Sequence, residues 1–121
     1  MRAVIDAGDA EAIVAAYLSR HSANELEGVL ELFESDARVE DPVGSPVHDG
    51  ISSIRAFYTA THRANGTMTI ERVGPALVGD REIAVHVRAG LHKPGSPPPM
   101  DVIYVIRLAP TGRIESLRAW Y

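Results

Sequence analysis

The sequence predicts a single α+β domain spanning residues 1–121, with helices gathered at its start and strands at its end. Three observations carry this reading. Apolar residues recur at helical spacing up to about residue 63. From residue 67 onward they fall into short runs separated by turn residues. A chain of 121 residues suffices for one hydrophobic core and is too short for two. Three helices should therefore pack on one face of a curved, mainly antiparallel sheet.

The first helix is expected from Asp9 as its cap to about His21, with Ile13, Val14, Tyr17 and Leu18 forming one apolar stripe. A second is signalled by Asn24 as cap and by Leu26, Val29, Leu30 and Phe33. A short strand over 37–41 follows, and then the loop PVGSPVHDG, where Pro and Gly break both periods. The third helix runs over about 51–63, with Ile51, Ile54, Phe57 and Tyr58 inward, and Asn65-Gly66 ends it. The strands are TMTIERV, PALV, EIAVHVRAGL, MDVIYVIRL and RIESLRAWY, with Gly79-Asp80 as a tight turn and KPGSPPP as a stiff connection.

Charge and composition narrow the function. With 12 basic and 16 acidic residues the formal charge is -4, and no basic run could follow a phosphate backbone, so nucleic acid is not an expected partner. The absence of Cys removes disulfides, thiolate zinc sites and cysteine nucleophiles. The apolar run AIVAAYL follows acidic residues and is far too short to cross a bilayer, so a cytoplasmic location away from membranes is expected.

Three polar side chains stand in apolar patterns. Alternation places Asp41 on the face of Ala37 and Val39, so an acid ends an inward row. In MDVIYVIRL, Asp101 shares a face with Ile103 and Val105, while Met100, Val102, Tyr104 and Ile106 line the other. Apolar residues on both faces suggest a central strand, in which an acid would lose solvation and stay neutral, ready to donate a hydrogen bond. Tyr17 sits in the apolar stripe of the first helix. Together they would supply one base and two donors around an apolar substrate.

The runs YLSRHSANELEGVLELFESDARVEDP and VEDPVGSPVHDGISSIRAFY, with DVIYVIRL, resemble the steroid Δ5-3-ketosteroid isomerases over nearly the whole chain. The resemblance implies the cone-shaped α+β fold of nuclear transport factor 2, a homodimer, and a small hydrophobic steroid-like substrate handled without metal or cofactor. It implies Asp41 as the base carrying a proton from C4 to C6 of a 3-oxo-Δ5-steroid, and Tyr17 and Asp101 as oxyanion donors, the acid kept neutral by its apolar site. Tyr58 would orient Tyr17. Val85, Val87, Met100 and Trp120 would form the pocket walls. Phe33 stands where some members have a third tyrosine. The Pro-rich loop differs from the family pattern, the chain ends at Tyr121 where many members continue, and Asp41-Pro42 is a candidate cis bond. Two alternatives remain: a polyketide cyclase or epoxide hydrolase recruiting His48, His62 or His86 as acid or base, and a non-catalytic ligand-binding or dimerisation domain.

Overall fold

The computed structural model describes residues 5–121, which form an NTF2-like α+β fold: helices against a curved, open, seven-stranded sheet. Helix α1 spans Ala7–Ser22, and its cap is Asp6, whose Oδ1 accepts the Asp9 N–H at 2.7 Å. Asp9 thus stands in the first turn, where its charge favours the positive helix end. The buried face of α1 carries Ala10, Val14, Tyr17, Leu18 and His21. Asn24 then adopts a left-handed φ of 59°, and α2, Leu26–Leu30, is a single short helix.

Phe33 does not extend α2. It opens β1, Phe33–Glu40, because Ile114 N–H bonds to Leu32 O at 2.7 Å and pairs Phe33 with Ile114 in parallel. That pairing with a distant strand overrides the helical spacing of Phe33. After β2, His48–Asp49, helix α3 spans Ile51–Asn65 and ends at Gly66, whose φ of 68° suits a residue without Cβ. Strands β3, Met68–Arg72; β4, Leu77–Gly79; β5, Glu82–Leu91; β6, Met100–Leu108; and β7, Ile114–Trp120, complete the chain. Gly79 pairs with Glu82, so the hairpin turn is Asp80-Arg81, one residue beyond the expected pair, with Asp80 at φ 57°.

The sheet order is β2-β1-β7-β6-β5-β3, with β4 pairing to β5. All pairs are antiparallel except β1 with β7. Alternation decides which side chains meet the helices. On β6, Val102, Tyr104, Ile106 and Leu108 are buried, whereas Asp101 and Ile103 face away from the helices and are exposed. Across the strand pairs, Val85, Val87, Leu117 and Ala119 join the buried face.

This two-sidedness yields a direct test by urea denaturation. Leu117→Ala, at a site with no exposure, should cost about 2–5 kcal/mol, while Leu77→Ala, at 68% exposure on the outer face, should stay within about 0.5 kcal/mol of the parent. Equal costs would contradict the assignment of the two faces.

Candidate active site

Strand β1 ends at Glu40, and Asp41 continues the inward side of Ala37 and Val39. Its neighbours turn the chain sharply. Asp41-Pro42 is cis, Val43 N–H bonds to Ala119 O at 2.7 Å, and Gly44 N–H bonds to Glu40 Oε2 at 3.0 Å. Asp41 is thereby held at the wall of a cavity of about 500 Å³ between α3 and the sheet. The cavity is mainly apolar, walled by Phe57, Ala60, Met68, Pro98, Met100 and Val102. Its polar lining includes Asp41, Tyr104, Tyr121 and His21. A second hollow, about 520 Å³, lies between α1 and the β6–β7 turn, away from this acid.

Desolvation raises the Asp41 carboxyl above its ordinary 3.8, and the Tyr121 hydroxyl, which donates to Asp41 Oδ1 at 2.6 Å, together with nearby His48, offsets part of that rise. A carboxylate stripped of water in this way is a stronger base than one in solvent.

Behind the cavity stands a chain of phenols. The hydroxyls of Tyr17 on α1 and Tyr58 on α3 are 2.7 Å apart and fully buried. Tyr104 on β6 packs edge-on against Tyr17, with ring centroids 5.4 Å apart, and is the member of the trio that lines the cavity. Burial pushes all three hydroxyls above their usual value, and the negative field of Asp41 adds to this. They therefore remain neutral donors throughout the physiological range. One turn further along both helices, His21 Nδ1 and His62 Nε2 lie 3.1 Å apart, both rings buried. Desolvation lowers His21 to about 4, with repulsion from His62 assisting, and lowers His62 as well.

The expected trio does not converge. Tyr17 and Asp41 lie on the helix side of the sheet, but Asp101 lies on the outer face, where His86 Nε2 at 2.8 Å and Arg88 Nη2 at 3.2 Å bind the same oxygen. The His86 hydrogen bond foremost, then Arg88, holds this carboxyl below its usual range, so Asp101 is an ionised surface acid and not a neutral donor. The apolar residues beside it, Ile103 and Val105, are on a face that no helix among the described residues covers. Trp120 is likewise on the outer face, 39% exposed beneath the Arg118 guanidinium at 4.8 Å. Of the other expected walls, Met100 lines the cavity, while Val85 and Val87 are on the inner face but are buried in the core outside the cavity wall.

Three cavity residues escaped the sequence reading although each had a signal. Tyr104 shares parity with Met100 and Val102. Tyr121 follows the inward alternation of Leu117 and Ala119. His21 follows the buried Tyr17 by four residues, one helical turn, just as the candidate His62 follows Tyr58. The other candidate histidines are elsewhere: His48 stacks on Phe57 at 4.5 Å and His86 holds Asp101. Among the described residues no group of three or more His, Asp or Glu could hold a metal ion.

Comparison with known proteins fits this architecture. The SnoaL-like domain profile matches residues 2–117, nearly the full chain. The chain belongs to the SnoaL-like domain family. Among solved structures, this SnoaL-like chain is similar to the epoxide hydrolase/cyclase-like enzyme SalBIII, which is described as acting in pyran ring formation in the polyether salinomycin. The two share 27% identity with a TM-score of 0.82, over 95% of this chain and 92% of that one.

The histidine pair makes stability depend on acid. Because the folded His21 stays neutral down to about 4 while the unfolded one titrates near 6.5, the unfolded state binds more protons in that interval. Stability should therefore fall by up to roughly 3 kcal/mol as pH drops from 6.5 to 4, and level off below. Melting curves of the parent and His21→Leu across this range test it: the variant should show a shallower decline, and parallel curves would contradict the assignment.

Proposed function

We propose that this protein is an acid–base enzyme that opens an epoxide in a small, largely apolar polyketide-like substrate. The observation that carries the reading is the desolvated Asp41 carboxylate opening on the same apolar cavity as the Tyr104 phenol. Asp41 takes the proton of an attacking hydroxyl, either the substrate's own, giving a cyclic ether, or water's, giving a diol. The new C–O bond forms as the epoxide C–O bond breaks, Tyr104 donates a hydrogen bond to the departing oxygen, and Asp41 returns its proton to that alkoxide. Similarity to an epoxide hydrolase/cyclase-like enzyme over almost the whole chain supports this chemistry.

A second reading, ketosteroid isomerisation, retains one specific observation in its favour: the Tyr17 hydroxyl is bound by Tyr58, and Asp41 faces the cavity. Its neutral acid, however, is missing, since Asp101 is ionised on the other face. Steroid turnover would appear as conjugated-enone absorbance. Isomerisation of a 3-oxo-Δ5-steroid without opening of an apolar epoxy alcohol would transfer the assignment to the isomerase.

Asp41→Asn separates base from scaffold. The amide preserves shape and still accepts from Tyr121 but cannot take a proton, so epoxide turnover should fall on the order of 10²–10⁴-fold. An acid raised on folding is destabilising above its unfolded pKa, so the variant should also melt higher at pH 7, and this gain should vanish below about 3.8. Undiminished turnover in this variant would remove Asp41 as the base.

We also propose a homodimer through the outer sheet face. Ile103 and Trp120 are paired across β6 and β7 and are both exposed there, the kind of apolar patch that marks an interface. Sedimentation at micromolar concentration should give twice the chain mass, and Ile103→Lys should yield the monomer. A parent that sediments as a monomer would contradict it.

A further inference from the structure

The cavity's second polar wall is His21. Its Nδ1 is engaged by His62 Nε2 at 3.1 Å, and its other ring nitrogen makes no hydrogen bond among the described residues and is not among the fully buried unpartnered atoms. Since His21 lines the cavity, Nε2 is the atom it presents there.

His62 decides which form that atom takes. His62 Nδ1 is fully buried without a partner, and the buried Asn24 Oδ1, also unpartnered, does not bond to it. Two neutral arrangements satisfy the contact between the rings. If His21 donated, His62 would carry its proton on Nδ1, leaving an N–H buried with no acceptor. If His62 donates from Nε2, its Nδ1 holds only a lone pair, and an orphaned N–H is the rarer and costlier of the two. The second arrangement places the His21 proton on Nε2. A charged His21 would force the orphaned N–H back onto His62, which fits the depressed titration of the pair.

We propose that His21 is a second oxygen-recognising catalytic residue: a neutral imidazole whose Nε2–H donates to an ether, epoxide or carbonyl oxygen of an apolar ligand, with His62 as the positioning residue that fixes its tautomer. This rests on the acid–base reading of the cavity. No proton leaves His21. It acts as a fixed dipole on developing negative charge, as neutral histidines do elsewhere, and supplies from α1 the second donor that Asp101, on the outer face, does not. The cavity accordingly selects apolar substrates with an oxygen acceptor directed toward α1.

Nitrogen-15 NMR of histidine-labelled protein at pH 7, with 2-naphthol as an apolar hydroxyl probe, tests this independently of turnover. His21 should show the Nε2–H tautomer, and the probe should shift its Nε2 signal. His62→Phe should convert His21 to a tautomer mixture while the chain stays folded. A parent His21 protonated on Nδ1, or an Nε2 signal unmoved by saturating probe, overturns the proposal. In the epoxide assay, His21→Leu should lower kcat on the order of 10²-fold with a smaller change in KM, and His21→Gln, which keeps a donor, should recover part of it. If Asp41→Asn is inactive while His21→Leu retains full kcat, the role of His21 falls and the base assignment stands. If Asp41→Asn is fully active, the acid–base reading falls, and the NMR result still judges the tautomer and the ligand contact.

Discussion

A polar ladder inside an apolar core governs the arrangement of this molecule. Tyr17 bonds to Tyr58, and one turn further His21 bonds to His62, so that two contacts between α1 and α3 share one register. Sliding or rotating either helix would break both pairs at once and leave four buried polar groups unsatisfied, a penalty of roughly 1–3 kcal/mol for each. The Asn24 side chain adds a third tie, donating to His62 O at 3.2 Å. Apolar packing alone tolerates small shifts. Hydrogen bonds with no water to replace them do not, and the cavity beside α3 inherits that rigidity.

From this ladder the chemistry follows by geometry. Tyr104, held edge-on to Tyr17, carries the phenol chain to the cavity surface, while His21 brings the imidazole pair to another part of the same wall. Burial keeps every one of these donors neutral, while desolvation raises the Asp41 carboxyl above its ordinary value and sets it up to take a proton. A single base facing neutral donors suits reactions in which a proton is removed at one atom and negative charge grows at an oxygen.

Much of this was legible in the sequence, and the failures have physical causes. Helical spacing placed Tyr17 and Tyr58 inward, and strand alternation placed Asp41 on the side of Ala37 and Val39, because a single-faced element leaves one consistent period. Strand β6 is central and apolar on both faces, so its pattern carries no sign: nothing local says which row meets the helices. Asp101 was therefore assigned to the inside, and Tyr104, three residues on in the opposite row, was overlooked. The His86 and Arg88 that hold Asp101 come from β5 through a register that only the sheet reveals. Phe33 was drawn to a helix by spacing and to a strand by Ile114, a partner 81 residues away. His62 stood among the candidate acids and bases, but its pairing with His21 did not, because a lone histidine near a helix end reads as solvent-facing until its counterpart is seen.

The central claim is that the fold desolvates Asp41 into a base, and its carboxyl titration measures this most directly. Carbon-13 NMR of the labelled side-chain carboxyl, followed from pH 2 to 8 in the ligand-free protein, should give an Asp41 midpoint clearly above 3.8, and Tyr121→Phe, which removes the hydroxyl donor, should move it higher still. A midpoint at or below 3.8 in the parent would mean that Asp41 is an ordinary solvated acid and that this cavity does not make it a base.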